Sequence, residues 1–343
     1  MPTDNAILSL PPVGPRWIVR TRRRVQLGPI GLEIRSNEAD PSVLRYFPRG
    51  GSGNQPGSLH YRINLCNWSV DGPWDRDSIW RSRDTSYRAG RFAMGYYITD
   101  HFGAPACLIT HGTEYWIFAS DFERILWPYL VKYLLTAFCL ERELLHLKAA
   151  GVSLAGRGTL LVARGGGGKT LLLAQLCQVG AEFVSNTHAL IDGQNLVSVP
   201  TAVRIRNDHH FGPIIAARGL PPAIKAGEFT ADPTDDLGWI CTPSAPLRNI
   251  CLIDYRPGNR IIREMDRERL FDYMDQFALA LNVYGLKEDL LDYLSGNIDA
   301  FCGHLARMRS TLRRILGSCG AYYVSCDCTD PVNLRDLLAL LRG

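Results

Sequence analysis

The sequence predicts a mixed α/β protein, α+β overall, with a β-rich N-terminal domain and a second domain built around a phosphate-binding loop. Three observations predict it. Residues 16–119 hold short strand-like segments rich in Tyr, Ile and Phe, separated by turn signals. Beyond residue 120, apolar strand segments are interspersed with stretches of helical periodicity. Within that second part, Thr159 to Ala163 reads as a buried strand, four glycines follow, and Lys169-Thr170 opens a run of helix formers from Leu171 to Gln178.

Taken in order, Met1 to Pro15 is proline-rich and reads as a loose lead-in. Trp17 to Ile34 alternates as two strands about the Gly28-Pro29 turn, and Glu38 to Tyr46 reads as a short helix. Strands are expected over 59–65, 91–99, 106–110 and 114–119, in a stretch crowded with Trp68, Trp74, Trp80, Tyr87, Tyr96, Tyr97 and Trp116, whose default role is a core. The second domain, 120–343, opens with a helix capped at Ser120 or Asp121, with Pro128 starting its second part. A hairpin about Ala155-Gly156 leads into the glycine loop. After the loop helix come a strand at Phe183–Ser185 and a hairpin about Asp192-Gly193. Residues 207–247 show little periodicity and read as a long loop. A strand at 249–255, helices at 267–282 and 298–316, the latter capped by Asn297 and stopped by Gly317, a strand at 322–325 and a helix at 332–341 complete the chain. No internal repeat is visible.

Bulk properties narrow the function classes. The 343 residues allow about two domains. With 46% hydrophobic and 21% charged residues the composition is that of an ordinary globular protein, and a net charge of +4 does not argue for nucleic acid. Arg22-Arg23-Arg24 reads as a solvated strand edge sooner than a nucleic-acid patch. No apolar stretch is long enough to span a bilayer, and no signal layout opens the chain, so a soluble cytoplasmic protein is expected. The ten cysteines include no C-x-x-C pair and read as buried thiols rather than zinc ligands. Lysine is scarce, with five against 33 arginines, and one of the five is Lys169.

The loop carries the chemistry. Backbone N–H groups converge on one anion only where φ values favoured by glycine are accessible, which suits Gly165, Gly166, Gly167 and Gly168. The helix start, through Leu171, adds unpaired N–H groups and a positive dipole end. Lys169 can reach the β- and γ-phosphates of a nucleotide, and the Thr170 hydroxyl can ligate Mg²⁺. Ala163 stands where the phosphate-loop motif has its first glycine.

The order of motifs extends further. His146-x-x-Ala-Ala precedes a hairpin; then come the glycine loop, its helix, a short strand with a polar end, a hairpin ending in Val203-Arg204-Ile205-Arg206, and Tyr-Tyr-Val-Ser-Cys-Asp near the end. Residues 140–343 thereby resemble the HPr kinase-like branch of the P-loop kinases, related in fold to phosphoenolpyruvate carboxykinase. The resemblance implies phosphoryl transfer from ATP with Mg²⁺ to a hydroxyl-bearing small molecule or peptide. It implies phosphate binding at Gly165–Gly168 with Lys169, a metal at Thr170, and His146 near the transferred phosphate. It also implies that a homo-oligomer is possible. The family carries two aspartates after the loop helix, where this chain has Ser185-Asn186-Thr187-His188.

Asn186 can accept a hydrogen bond or hold a hydrated metal but cannot take a proton. His188 can, either as a replacement base or as a structural histidine at a strand end. Asp254, ending an apolar strand, is a candidate second metal ligand or an ordinary strand-end acid. Arg204, Arg206 and Arg248 are candidates to neutralise phosphoryl charge. His209-His210 lack a third ligand at suitable spacing. The alternative to a kinase is a nucleotide-binding regulator or scaffold that has lost its chemistry.

Overall fold

A computed structural model describes residues 17–47, 49, 58–70, 84–85, 90–91, 97–99, 106–123, 125–223 and 226–342. The described residues fall into two compact units. One lies within Met1–Val25, Gly31–Leu44 and Pro56–Pro128, the other within Gln26–Ile30, Arg45–Gln55 and Tyr129–Gly343.

The first unit is organised by one sheet. Its strands are β1 (Thr21–Leu27), β2 (Ile30–Ser36), β3 (Leu59–Asn67), β4 (Asp84–Thr85), β5 (Gly90–Arg91), β6 (Tyr97–Thr99), β7 (Ala106–His111) and β8 (Glu114–Ala119), in the order β1-β2-β3-β8-β7-β6-β5-β4. The expected strand at 91–99 is thus represented by β5 and β6, with 92–96 outside the described residues. Trp74, Trp80, Tyr87 and Tyr96 also lie outside them, whereas Trp68 and Trp116 join Cys66, Cys107, Ile109 and Phe118 in a buried cluster. The short helix expected from Glu38 shrinks to a 3₁₀ turn at Ser42–Tyr46. Upstream of it, the Thr21 hydroxyl donates to the carbonyls of Glu38 and Ala39, which holds that backbone outside a helix.

The arginine triplet has a structural partner. Glu33 on β2 is fully buried, and Arg22 donates to its Oε2 at 2.6 Å, with Arg24 at 3.7 Å and with Arg35 and Arg62 on Oε1. Arg23 donates instead to the Leu44 carbonyl. Burial pushes the Glu33 pKa up, but the hydrogen bond from Arg22, the charge of Arg35 and the hydrogen bonds from Arg35 and Arg62 outweigh it and bring the pKa down to about 2.

The second unit positions the glycine loop. A π-helical turn at Leu126–Val131 leads into α1 (Lys132–Arg142), so the helix starts later than the caps at 120–121 suggested. Pro128 has no N–H to give, which favours a widened turn there. Next come β9 (Leu145–Leu147), β10 (Ala150–Leu154), β11 (Arg157–Val162), α2 (Lys169–Gln178), β12 (Glu182–Ser185), β13 (Ala189–Asp192), β14 (Asn195–Val197), β15 (Val203–Arg206), α3 (Gly212–Arg218), β16 (Glu228–Ala231), β17 (Ser244–Ile253) and β18 (Arg260–Glu264). The chain closes with α4 (Arg267–Phe277), α5 (Ala280–Val283), α6 (Lys287–Tyr293), α7 (Ile298–Ser318), β19 (Gly320–Cys326) and α8 (Pro331–Arg342).

Strand β17 is the axis of this unit. Its first residues, Ser244 to Pro246, pair antiparallel with β14, extending to β13 and β9. Its remainder runs parallel to β11 on one side and to β19 on the other. Alternating burial over Ser244–Asn249 shows why this strand starts earlier than the apolar run at 249 suggested: Ala245 and Leu247 are buried between exposed neighbours. The remaining strands, β10 with β12 and β18, add antiparallel edges. Apolar residues of β10, β11 and β17 meet Leu172, Leu173 and Leu176 of α2 in one core cluster. The stretch 207–247, expected to be irregular, contains α3 and β16, and β16 pairs with β15. Helix α7 runs through Gly317 to Ser318, since one glycine does not end a helix whose last turn is anchored by buried Leu312, Ile315 and Leu316. Among the described residues, no helix is long and apolar enough to cross a membrane.

The Glu33 cluster yields a stability prediction. A carboxylate with a folded pKa near 2 contributes stability that is present above its unfolded pKa and lost as pH falls toward 2. Glu33→Gln is expected to destabilise the N-terminal unit by about 1–3 kcal/mol at pH 7. It should also flatten the fall in stability below pH ~4.5. Urea unfolding of both proteins from pH 2 to pH 7 measures this.

Candidate functional site

The three parallel strands β11, β17 and β19 end on one edge of the sheet, where open α/β sheets bind ligands. The glycine loop occupies that edge. Gly166 (φ 75°) and Gly168 (φ 89°) adopt left-handed backbone, which explains the need for glycine at both. A side chain at Gly165 or Gly166 would meet no atom within 4 Å, so this part of the turn faces open space. At Gly168, by contrast, a Cβ would lie 2.6 Å from Tyr255 Cβ, so the loop packs against the chain leaving β17. Gly168 caps α2 without a side-chain hydrogen bond, and the amides of the first turn lack intrahelical partners. Gly167 donates its N–H to the Arg164 carbonyl at 3.1 Å and closes the turn, so it is not one of the outward amides. Leu171 lies partly buried in the first turn of the helix.

Lys169 is half-buried, and its Nζ donates to the carbonyls of Ala163 (2.8 Å) and Arg164 (3.2 Å). Burial, helped by the charge of Lys148, lowers its pKa to about 8. The Thr170 hydroxyl donates to Asn186 Oδ1 at 3.3 Å, joining the helix start to the end of β12. Asn186 is buried, as is Ser185 before it.

His146 and His188 come together. Strand β9 pairs with β13, setting Leu147 opposite Ala189 and His146 opposite Leu190. The Thr136 hydroxyl donates to the Lys132 carbonyl at 2.8 Å, so it accepts from His146 Nδ1 at 2.9 Å. His146 Nε2 then accepts from His188 Nδ1 at 3.0 Å. The Tyr284 oxygen lies 3.3 Å from the same His188 nitrogen. Both rings are buried. Burial, with the charge of Lys132, lowers the His146 pKa to about 3. Burial, then His146, Lys132, Arg204 and Lys148, holds His188 well below the usual imidazole value. The pair is therefore neutral at physiological pH, and His188 is a weaker base than a free histidine.

The other candidates separate. Asp254 follows β17 on the loop's edge of the sheet, but its carboxylate accepts from Arg256 Nε at 2.8 Å and from the Tyr323 hydroxyl at 3.1 Å. No hydrogen bond links it to Thr170, whose partner is Asn186. Arg206 and Arg204 lie 3.4 and 3.9 Å from Glu228. Arg248 lies at the start of the parallel part of β17, the end of the strands opposite the loop. His210 lies beside Gln175, and among the described residues no group of three His, Cys, Asp or Glu side chains is arranged to hold a metal. All ten cysteines are free thiols.

No family model matches the chain. No curated protein matches it either.

Sequence reasoning missed Lys132, Lys148 and Tyr284. Lys132 Nζ sits 4.4 Å above the Tyr284 ring, and Lys148 directly follows β9. Burial, then Arg204 and Lys148, lowers the Lys132 pKa to about 8; burial and Arg204 lower that of Lys148. The scarcity of lysine was the available signal: three of the chain's five gather here.

Two outcomes follow from this geometry. Gly168→Ala places a Cβ against Tyr255 on left-handed backbone and should cost about 1–3 kcal/mol, read as a lower melting temperature. In ring-nitrogen NMR spectra, His146 and His188 should stay neutral from pH 8 to pH 5. A midpoint above pH 6 for either ring contradicts the hydrogen-bonded chain described here.

Proposed function

We propose that the protein binds ATP on the glycine loop and transfers its terminal phosphoryl group, with Mg²⁺, to a hydroxyl-bearing small molecule or peptide, as the resemblance to HPr kinase-like P-loop kinases implies. The observation that carries this reading is Lys169. It is a half-buried cation beside an open glycine turn, and its only hydrogen-bond partners among the described residues are two neutral carbonyls. A desolvated charge without a counter-ion is costly, and a polyphosphate in the turn offsets that cost.

Each residue has a role under this reading. Gly165, Gly166 and the first turn of α2 orient the phosphates, and Lys169 moves from the loop carbonyls to the phosphate oxygens. Thr170 and Asn186 would hold Mg²⁺: two neutral oxygens 3.3 Å apart suit a hard cation that keeps several waters and takes phosphate oxygens for the rest. Asp254, committed to Arg256 and Tyr323, does not fit as a second ligand. The bound ion would neutralise charge on the phosphates. His188, with its Nδ1 proton directed at His146, orients the acceptor hydroxyl and is not a strong base. Phosphoryl transfer through a loose transition state depends chiefly on positioning and charge, which makes a weak base sufficient.

A second reading, a nucleotide-binding regulator, is favoured by one observation: the Thr170 hydroxyl meets an amide where kinases of this type have a carboxylate. ATP labelled on the γ-phosphate separates the two. Turnover with an acceptor, lost in Lys169→Ala, supports the kinase; binding without turnover for any acceptor supports the regulator; no binding sinks both. Lys169→Ala is expected to weaken ATP binding about 10–100-fold. Because the ammonium carries its proton only below its pKa of about 8, affinity should fall as pH rises from 7 to 9, in calorimetry at constant ionic strength.

A further inference from the structure

Around the histidine pair lies a second group of cations, distinct from the loop. Lys132 Nζ stands 4.4 Å over Tyr284, whose oxygen is 3.3 Å from His188. Lys148 follows the Leu147↔Ala189 pair, so the strand register sets it across from His188. Arg204, on β15, contributes its charge to Lys132, Lys148, His188 and Tyr284. Among the described residues, no ion pair joins Lys132, Lys148 or Lys169 to a carboxylate, and the one acid near Arg204 is Glu228 at 3.9 Å. The group borders the loop: the Thr170 hydroxyl at the start of α2 donates to Asn186, two residues before His188.

The floor of this group is neutral. It is built from two hydrogen-bonded imidazoles, His146 and His188, and the phenol of Tyr284, with no carboxylate among them. Among the described residues no carboxylate pairs with either lysine, and Lys132 has only the face of the Tyr284 ring. Half-buried ammonium groups that repel one another are a cost to the fold, and such groups persist where a ligand supplies the missing charge.

We propose that Lys132 and Lys148 form an anion subsite beside the glycine loop, which receives a phosphate or carboxylate carried by the phosphoryl acceptor. This rests on the kinase reading for the word acceptor, but the subsite itself does not depend on it. An acceptor anchored by its own anionic group at Lys148 would lie next to the nucleotide's terminal phosphate, with Lys148 touching both. The acceptor class is thereby an anionic hydroxyl compound rather than a neutral sugar or alcohol.

The test uses calorimetry on the full chain, with inorganic phosphate and malonate as probes for the two kinds of anion. The protein is first saturated with Mg²⁺ and a non-hydrolysable ATP analogue, which fills the loop. Phosphate or malonate should then still bind at one site. Lys148→Met and the double variant Lys132→Met/Lys148→Met should weaken that binding at least tenfold, about the loss of one charged contact. Lys169→Ala should retain it. Both lysine variants should also melt at a higher temperature than the parent, because each removes an uncompensated charge. Absence of phosphate and malonate binding to the analogue-saturated protein overturns the proposal. So does unchanged affinity in the double variant, and so does a lower melting temperature in both, which would show the lysines to be structural. If the analogue itself fails to bind, the nucleotide reading falls. Phosphate binding by Lys169→Ala, compared with the same protein lacking Lys132 and Lys148, then decides the subsite alone.

Discussion

The site depends on the ammonium of Lys169 spanning the carbonyls of Ala163 and Arg164. That pair of hydrogen bonds keeps the glycine turn folded back over its strand while leaving Gly165 and Gly166 facing open space. It is also an arrangement ready to change. Neutral carbonyls are modest partners for a half-buried cation, and an anion in the turn would be a stronger one. Everything else at this edge of the sheet braces the turn: Tyr255 against Gly168, Asn186 against Thr170, and the parallel pairing of β11 with β17 beneath.

Strand β17 explains how one turn comes to lie beside a histidine pair that is remote in sequence. Its parallel part ends beside the loop, and its first residues carry β14, β13 and β9. His146 sits in β9 and His188 at the entry to β13, so a single strand sets both halves of the site. The Thr136 hydroxyl, committed to its own helix, gives the histidine chain its direction.

Much of this was legible in the chain. Strand, glycines, Lys-Thr and helix occur where residue chemistry placed them, and so do the hairpin at Gly193 and the cap at Asn297. These are local signals, set by glycine's backbone freedom and by side chains that bond to nearby amides. What was not legible is long-range. The early start of β17 depends on pairing with β14, and the short turn at Ser42–Tyr46 depends on Thr21 bonding Glu38 and Ala39. Asp254 stood as a candidate metal ligand or an ordinary strand-end acid; Arg256 and Tyr323 take its carboxylate, and no spacing rule reveals that. The triple arginine read as a solvated edge, and β1 is the end strand of its sheet with Arg22 and Arg24 more than half exposed; that both also serve a buried acid on the neighbouring strand was not legible. The lysines at 132 and 148 show no motif, and only their rarity singled them out.

The buried histidine chain has a consequence for how this protein meets acid. Its rings resist protonation in the folded state, yet an unfolded chain takes up protons on the same residues once pH drops below ~6.5. Mild acidity therefore leaves the charge of the histidine pair as it is while drawing down the folding free energy of the domain around it. The histidines act as a load on the scaffold instead of a switch, and the charge that does respond near neutrality belongs to Lys132 and Lys169, on its alkaline side.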